Sequence, residues 1–285
     1  MNLKASYSEK FMKAVFTVAA WTSAIAVILI CVFLFASGIP AIREIGLGEF
    51  VLGMRWDPMQ NIYGIFPMII GSLYVTAGAI LIGTPIGLLC AVYLAKYCSD
   101  RLHGIIKPAI DLLAGIPSIV YGFFALMVIV PMIQDTFGGS GKGLLTASIL
   151  LGIMILPTII SVSEANIRAV PSSYYEGALA LGATKERSIF MTVIPAAKQG
   201  ILAGITLGIG RAIGETMAVV IVCGNQAIMP ETVTSGVRTL TTNIVLEMGY
   251  ASGMHREALI ATAVVLFVFI LIINLCTAML RKEVK

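Results

Sequence analysis

Charge is what this sequence has least of. Asp, Glu, Lys and Arg make up 12% of its 285 residues, while 58% are hydrophobic and the mean hydropathy is +0.97. A soluble domain carries about twice that charge, so a globular body facing water on every side is excluded. Cysteine is sparse and scattered. Cys31, Cys90, Cys98, Cys223 and Cys276 form no C-x-x-C pattern and lie mostly in apolar runs, which leaves neither a disulfide framework nor a thiolate metal site. The two histidines, His103 and His255, are far apart, and no metal site is expected. No basic patch is interleaved with aromatic residues, so the net charge of +4 gives no sign of nucleic-acid binding. A phosphate-cradling loop is missing too. The stretch FGGSGKG, 137–143, has Thr136 where the first glycine of G-x-x-x-x-G-K-[ST] belongs, and Gly143 where Ser or Thr should follow Lys142.

What is present is a series of uncharged runs. They hold 29 residues between Lys13 and Arg43, 38 between Asp57 and Lys96, 23 between Asp111 and Asp135, 21 between Lys142 and Glu164, and 23 between Glu257 and Arg281. Each accommodates the roughly 20 residues of a membrane helix. A sixth stretch, Gly200 to Asn225, is apolar except for Arg211 and Glu215. The first run follows Lys4, Lys10 and Lys13 as a signal peptide would, but it exceeds the about 7–15 apolar residues of a cleaved signal and reads as a span. The expected fold is therefore all-α and integral to the membrane, with six transmembrane helices and both termini on one side. Thirteen Lys and Arg residues fall in the termini and the two loops of that side and five in the other three loops, which places both termini in the cytoplasm. The corresponding division is a cytoplasmic N-terminus at 1–13, one transmembrane domain at 14–281 and a cytoplasmic tail at 282–285.

The longest polar stretch on the cytoplasmic side is Pro171 to Gly200, PSSYYEGALALGATKERSIFMTVIPAAKQG. Ser173 and Glu176 have the spacing of a capping box, which predicts a helix starting at Tyr174. Gly182 supplies a left-handed end, Thr184 caps a second helix, and Pro195 divides that helix from the apolar run beyond. Residues 171–198 are thus expected to form a helix, a glycine bend and a helix, a docking surface at the membrane face.

Three spans carry irregularities. Gly83-Thr84-Pro85 predicts a kink in the second, and Gly115-Ile116-Pro117-Ser118 an interruption of the third, which makes Ser118 a candidate for the substrate path. In the fifth, Gly200, Gly204 and Gly208 recur every four residues and permit close approach of another helix. Arg211 and Glu215 lie near the same face. Charges inside a span cost roughly 2.5–3.5 kcal/mol each on insertion scales and face protein or a water-filled path. The pair either neutralises itself or meets an anion in transit. Before the second span, the segment 38–67 reads as an outer loop with an interfacial helix, Trp56 and Tyr63 suiting the headgroup zone.

At Glu176-Gly177-Ala178, Gly182 and Thr192-Val193-Ile194-Pro195 the sequence resembles the cytoplasmic loop of permease subunits of ATP-driven importers. Their pattern is E-A-A, three residues, G, nine residues and I-x-L-P, from which Gly177 and Thr192 depart. Together with LLAGIPSIVYGF, GRAIGETMAVVIVCGN and RTLTTNIVLEMG, the chain is similar over almost its whole length to the phosphate-specific permease subunit of bacterial phosphate importers, the PstC type. The resemblance implies a type I ABC importer permease fold in the bacterial inner membrane and no catalysis by this chain. It implies a homologous second permease subunit, two cytoplasmic ATPase subunits that bind ATP and Mg, and an extracytoplasmic phosphate-binding protein. It assigns Glu176, Gly177, Ala178, Gly182 and Pro195 to ATPase coupling. An ion-coupled secondary transporter with Glu215 as proton carrier, and a permease for another tetrahedral anion, are the alternatives.

Overall fold

The computed structural model describes residues 3–282; the other residues of the two terminal segments, 1–2 and 283–285, lie outside it. Helix α1, Leu3–Ile45, runs unbroken through residue 13 and across Pro40. After Gly46, at φ 93°, comes the short α2, Leu47–Leu52. Strands β1, Trp56–Asp57, and β2, Ile62–Tyr63, then form an antiparallel hairpin with Trp56 opposite Tyr63. Next are α3, Phe66–Lys96, and α4, Asp100–Gly115. The third crossing is one run of helix, 118–137, made of α5, Ser118–Phe124, a π-helical turn, Ala125–Ile129, and α6, Val130–Phe137. Helix α7, Leu144–Arg168, precedes the polar stretch, which holds α8, Ser172–Ala180, α9, Lys185–Ser188, a second π-helical turn, Ile189–Val193, and α10, Ile194–Ala196. The chain closes with α11, Lys198–Gly214, α12, Met217–Val222, α13, Leu240–Glu247, and α14, Gly253–Lys282.

Among the described residues, five helices are long and apolar enough to cross a bilayer. A sixth apolar stretch is bent by 69° between Lys185–Ala196 and Lys198–Gly214. At 1.5 Å per residue, α11 covers about 25 Å, short of the roughly 30 Å hydrocarbon core, and α12 extends it beyond a break. Single helices thus supply five crossings, and the broken stretch of α11 and α12 occupies the place of the expected fifth of six.

Glycines set the packing. A Cβ on Gly83 would meet Gly152 and Ile155, and one on Gly87 would meet Ile159, so α3 and α7 run parallel in close contact. Gly200, Gly204 and Gly208 lie against Asn166, Val162 and Ile159 in turn, so α11 runs antiparallel to α7, and the sequence-predicted glycine face is used within the chain. Around these helices is the main core, with Leu150, Leu151, Met154 and Ile155 of α7 almost wholly buried. Helix α1 packs antiparallel on α14, Phe35 against Phe267 and Gly38 against Ala261 and Val264, which brings the start of the first to the end of the second. The outward faces of this pair, among them Phe16, Trp21, Phe33, Leu271 and Leu275, are exposed apolar surface suited to lipid.

One local expectation needs correction. The interruption at 115–118 does not fall inside a span: it separates the amphipathic α4 from the start of the third crossing, because Ile116 and Pro117 are extended. Pro85 sits within a continuous α3. Trp56 Nε1 donates to Glu247 Oε2 at 2.9 Å.

Both π-helical turns end two residues before a proline, at Pro131 and Pro195. The amide just before each proline bonds five residues back, Val130 to Ala125 and Ile194 to Ile189. A proline lacks the N–H for the usual bond and its ring clashes with the carbonyl four residues back. The wider turn moves that carbonyl aside.

Candidate functional site: the projecting loop and the broken fifth span

Residues 171–198 form the expected helix, bend and helix, though not by the expected start. Helix α8 begins at Ser172 with Pro171 in the capping position, and no side chain caps it. Pro171, at φ −54° and ψ 138°, already has the extended geometry of a cap, so Ser173 falls inside the first turn and the capping box with Glu176 does not form. The other end agrees with the sequence. Gly182 is left-handed at φ 82°, its amide bonds Leu179 O at 2.9 Å, and the Ala183 amide bonds Ala178 O at 3.1 Å. Those two bonds make a Schellman end, which satisfies the last carbonyls of α8 and turns the chain back. Thr184 Oγ1 accepts from the Arg187 amide at 3.3 Å and starts α9.

The two halves of the loop are held differently. Ile189, Val193 and Ala197 are buried against Ala91 and Val92 of α3 and Ile167 of α7. Full burial of such side chains contributes about 1.5–3 kcal/mol each for the larger ones, so this half is firmly seated. Helix α8 has no buried residue. It displays Glu176 and Gly177, with Tyr174 and a Leu181 that is 91% exposed, while Ala178 is half-buried. A Cβ on Gly177 or Gly182 would meet no atom within 4 Å. Pro195 is exposed, two residues before the bend at Ala197.

Within the fifth crossing, Arg211 and Glu215 are both half-buried, but among the described residues they form no ion pair. Arg211 Nη1 reaches Thr158 Oγ1 of α7 at 3.4 Å. Glu215 has left the helix: α11 ends at Gly214, and the Glu215 backbone is extended. Its carboxylate accepts the amides of Thr216 and Ala218 at 3.2 and 3.3 Å, and its carbonyl accepts Thr241 Oγ1 at 3.1 Å. Mutual neutralisation of the pair is therefore overturned: Glu215 Oε1 satisfies the open amides of α12, and Arg211 is left to Thr158. Ser118 is the first residue of α5, half-buried, next to Pro117 at the foot of the third crossing.

Residues 83–285 match the family of binding-protein-dependent transport system inner membrane components. The chain belongs to that family. The permease is 37% identical to a probable ABC transporter permease protein, YqgH, of Bacillus subtilis, over 87% of this chain and 84% of that one. It is 35% identical to the phosphate transport system permease protein PstC of Haemophilus influenzae, over 80% of this chain and 78% of the other. Among solved structures, it superposes on a chain of the inward-facing MetNI methionine ABC transporter with a TM-score of 0.63 at 19% identity, covering 81% of the permease and 100% of that chain. A bacterial alginate ABC transporter gives 0.66 at 17%, covering 97% and 98%. The fold is that of ABC importer permeases. The permease is a multi-pass inner membrane subunit of a larger transport system and not an enzyme.

Two polar clusters of the permease are not visible in its sequence pattern. Glu164 is buried with 4% of its side chain exposed, and takes His103 Nε2 at 2.6 Å and Arg168 Nε at 2.9 Å on one oxygen. At the opposite end of the molecule, Glu247 accepts Arg238 Nη1 at 2.6 Å, His255 Nε2 at 2.8 Å and Trp56 Nε1. This joins the β hairpin to α13 and α14. Burial pushes the neighbouring Tyr63 hydroxyl above its ordinary range, so it stays a donor, to Asn61 Oδ1 at 3.2 Å. A sequence signal lay in the four-residue spacing of His103, Lys107 and Asp111, which puts them on one face of α4.

Proposed function

We propose that the permease is the translocation subunit of an ATP-driven importer of inorganic phosphate. The observation that carries this is the projecting α8 with its glycine bend, which displays Glu176 beside exposed Tyr174 and Leu181 on a firmly packed base. An uncovered apolar and acidic helix outside the membrane spans fits a protein partner. In this reading two ATPase subunits, which bind ATP and Mg, dock at the cytoplasmic face, one of them against Glu176, Gly177, Ala178, Gly182 and Pro195. A homologous second permease subunit completes the membrane part, and an extracytoplasmic phosphate-binding protein delivers the anion at the end bearing Glu247. The charge asymmetry of the loops supports cytoplasmic placement of residues 1–13, 171–198 and 282–285.

The choice of phosphate rests on the phosphate transport permeases among the relatives, which match over about four fifths of both chains. Arg211, Glu215 and Ser118 are assigned to the path. The Arg211 guanidinium, without a carboxylate partner among the described residues, has donors free for an oxyanion, and a path must hold its ion loosely enough to release it. The test is uptake into vesicles by the complete complex. Phosphate accumulation that requires ATP and survives collapse of the proton gradient is expected; accumulation by the permease alone under a proton gradient would establish the ion-coupled alternative.

A further inference from the structure

We infer that Glu164 and His103 are positioning residues that carry movement of the α8 loop to the foot of the third crossing. The inference rests on the ATP-driven reading above. Glu164 lies one helical turn before Arg168, where α7 hands over to the loop, and it is buried. Its bond to His103 fixes α4 to that turn. The contact continues along α4: Lys107 Nζ donates to Ser161 Oγ at 2.6 Å and lies 3.5 Å from Glu164 Oε2, and Ser161 Oγ donates to Asp111 Oδ1 at 3.1 Å. Arg168 Nη2 in turn donates to Leu94 O at 2.8 Å, which ties the same cluster to the end of α3.

The other face of α4 has no such hold, since Ile105 and Leu112 are 70% and 74% exposed. Beyond Gly115 the chain is extended for two residues, and Tyr121 Oη bridges that gap by donating to Leu113 O at 2.8 Å. Helix α5 then packs on α12 just past the Glu215 break, Gly122 against Ala218 and Ile221. The foot of the third crossing is thereby tied through α4 to the C-terminal end of α7, where the Glu164 carboxylate lies beside a buried apolar contact of Ile106 and Ile110 with Leu156 and Ile160. Among the described residues, Glu164 Oε2 accepts no hydrogen bond of its own. A buried carboxylate among cations is held only while its donors stay in place, so the contact keeps α4 in register or releases it as a unit.

Proximity alone does not establish coupling, so the experiment reads coupling itself. In the complete complex reconstituted into vesicles, phosphate imported per ATP hydrolysed is measured for wild type, His103→Leu and His103→Gln. Leucine removes the donor to Glu164, whereas the glutamine amide retains one. His103→Leu is expected to lower the ratio about fivefold, the factor corresponding to one ordinary hydrogen bond, with ATP hydrolysis continuing, and His103→Gln to restore most of it. Ser161→Ala, which loosens the more exposed end of the same contact, is expected to shift the ratio in the same direction and serves if His103→Leu fails to assemble. Variants that lose abundance or thermal stability with an unchanged ratio would make the cluster structural and overturn the inference. A wild-type complex in which ATP hydrolysis drives no uptake would overturn the ATP-driven reading and this inference with it.

Discussion

Arg211 and Glu215 belong to different parts of the fold although they are four residues apart. One rides on α11 against Thr158, and the other caps α12 beyond the break. Replacing Arg211 with Ala is expected to reduce phosphate uptake roughly tenfold to a hundredfold, in line with the about 1.5–3 kcal/mol of a charged hydrogen bond, with assembly preserved. Exchanging the two, Arg211→Glu with Glu215→Arg, is expected to give no rescue, since no pair exists to restore and an arginine at 215 cannot accept the α12 amides. Recovery of uptake in the double variant, measured at equal abundance, would contradict the geometry. The sequence makes both residues conspicuous as intramembrane charges. Helical periodicity alone puts them on one face, and only the end of α11 at Gly214, which depends on tertiary packing around Thr241, separates them.

Among the elements, α8 and α11 make opposite demands on their glycines. Gly177→Ala is expected to be tolerated and to stabilise α8 by up to about 1 kcal/mol, since a Cβ there meets nothing and alanine is the better helix former. Gly182→Val is expected to depress uptake with the protein still inserted, because φ 82° is strained for a β-branched residue and the Schellman end would shift Glu176. Normal uptake in Gly182→Val would remove the loop from coupling. On α11, Gly200→Ala would drive a methyl group into the Asn166 side chain, whereas Gly210→Ala meets open space. Thermal unfolding of the purified protein should separate them, Gly200→Ala melting lower and Gly210→Ala close to wild type. The helix, bend and helix of 171–198 was legible because left-handed glycine, threonine capping and proline act locally. The start of α8 was misplaced because Pro171 competes with Ser173 for the cap, and the β hairpin went unforeseen because its strands are two residues long and held by a glutamate nearly 200 positions away.

For the whole molecule, scarce charge and spaced apolar runs were enough to indicate a six-crossing bundle, whereas the clusters on Glu164 and Glu247 depend on which helices meet and leave little trace in one sequence. The account joins a projecting helix that receives force to a broken crossing that handles an anion. Its most direct test is ATP hydrolysis by the complete complex in a bilayer, with the external binding protein supplied, as phosphate or sulfate is added. Hydrolysis stimulated by phosphate and not by sulfate, and lost with the stimulation abolished in Gly182→Val, is the predicted result. Equal hydrolysis with either anion, or stimulation that survives Gly182→Val unchanged, would contradict it.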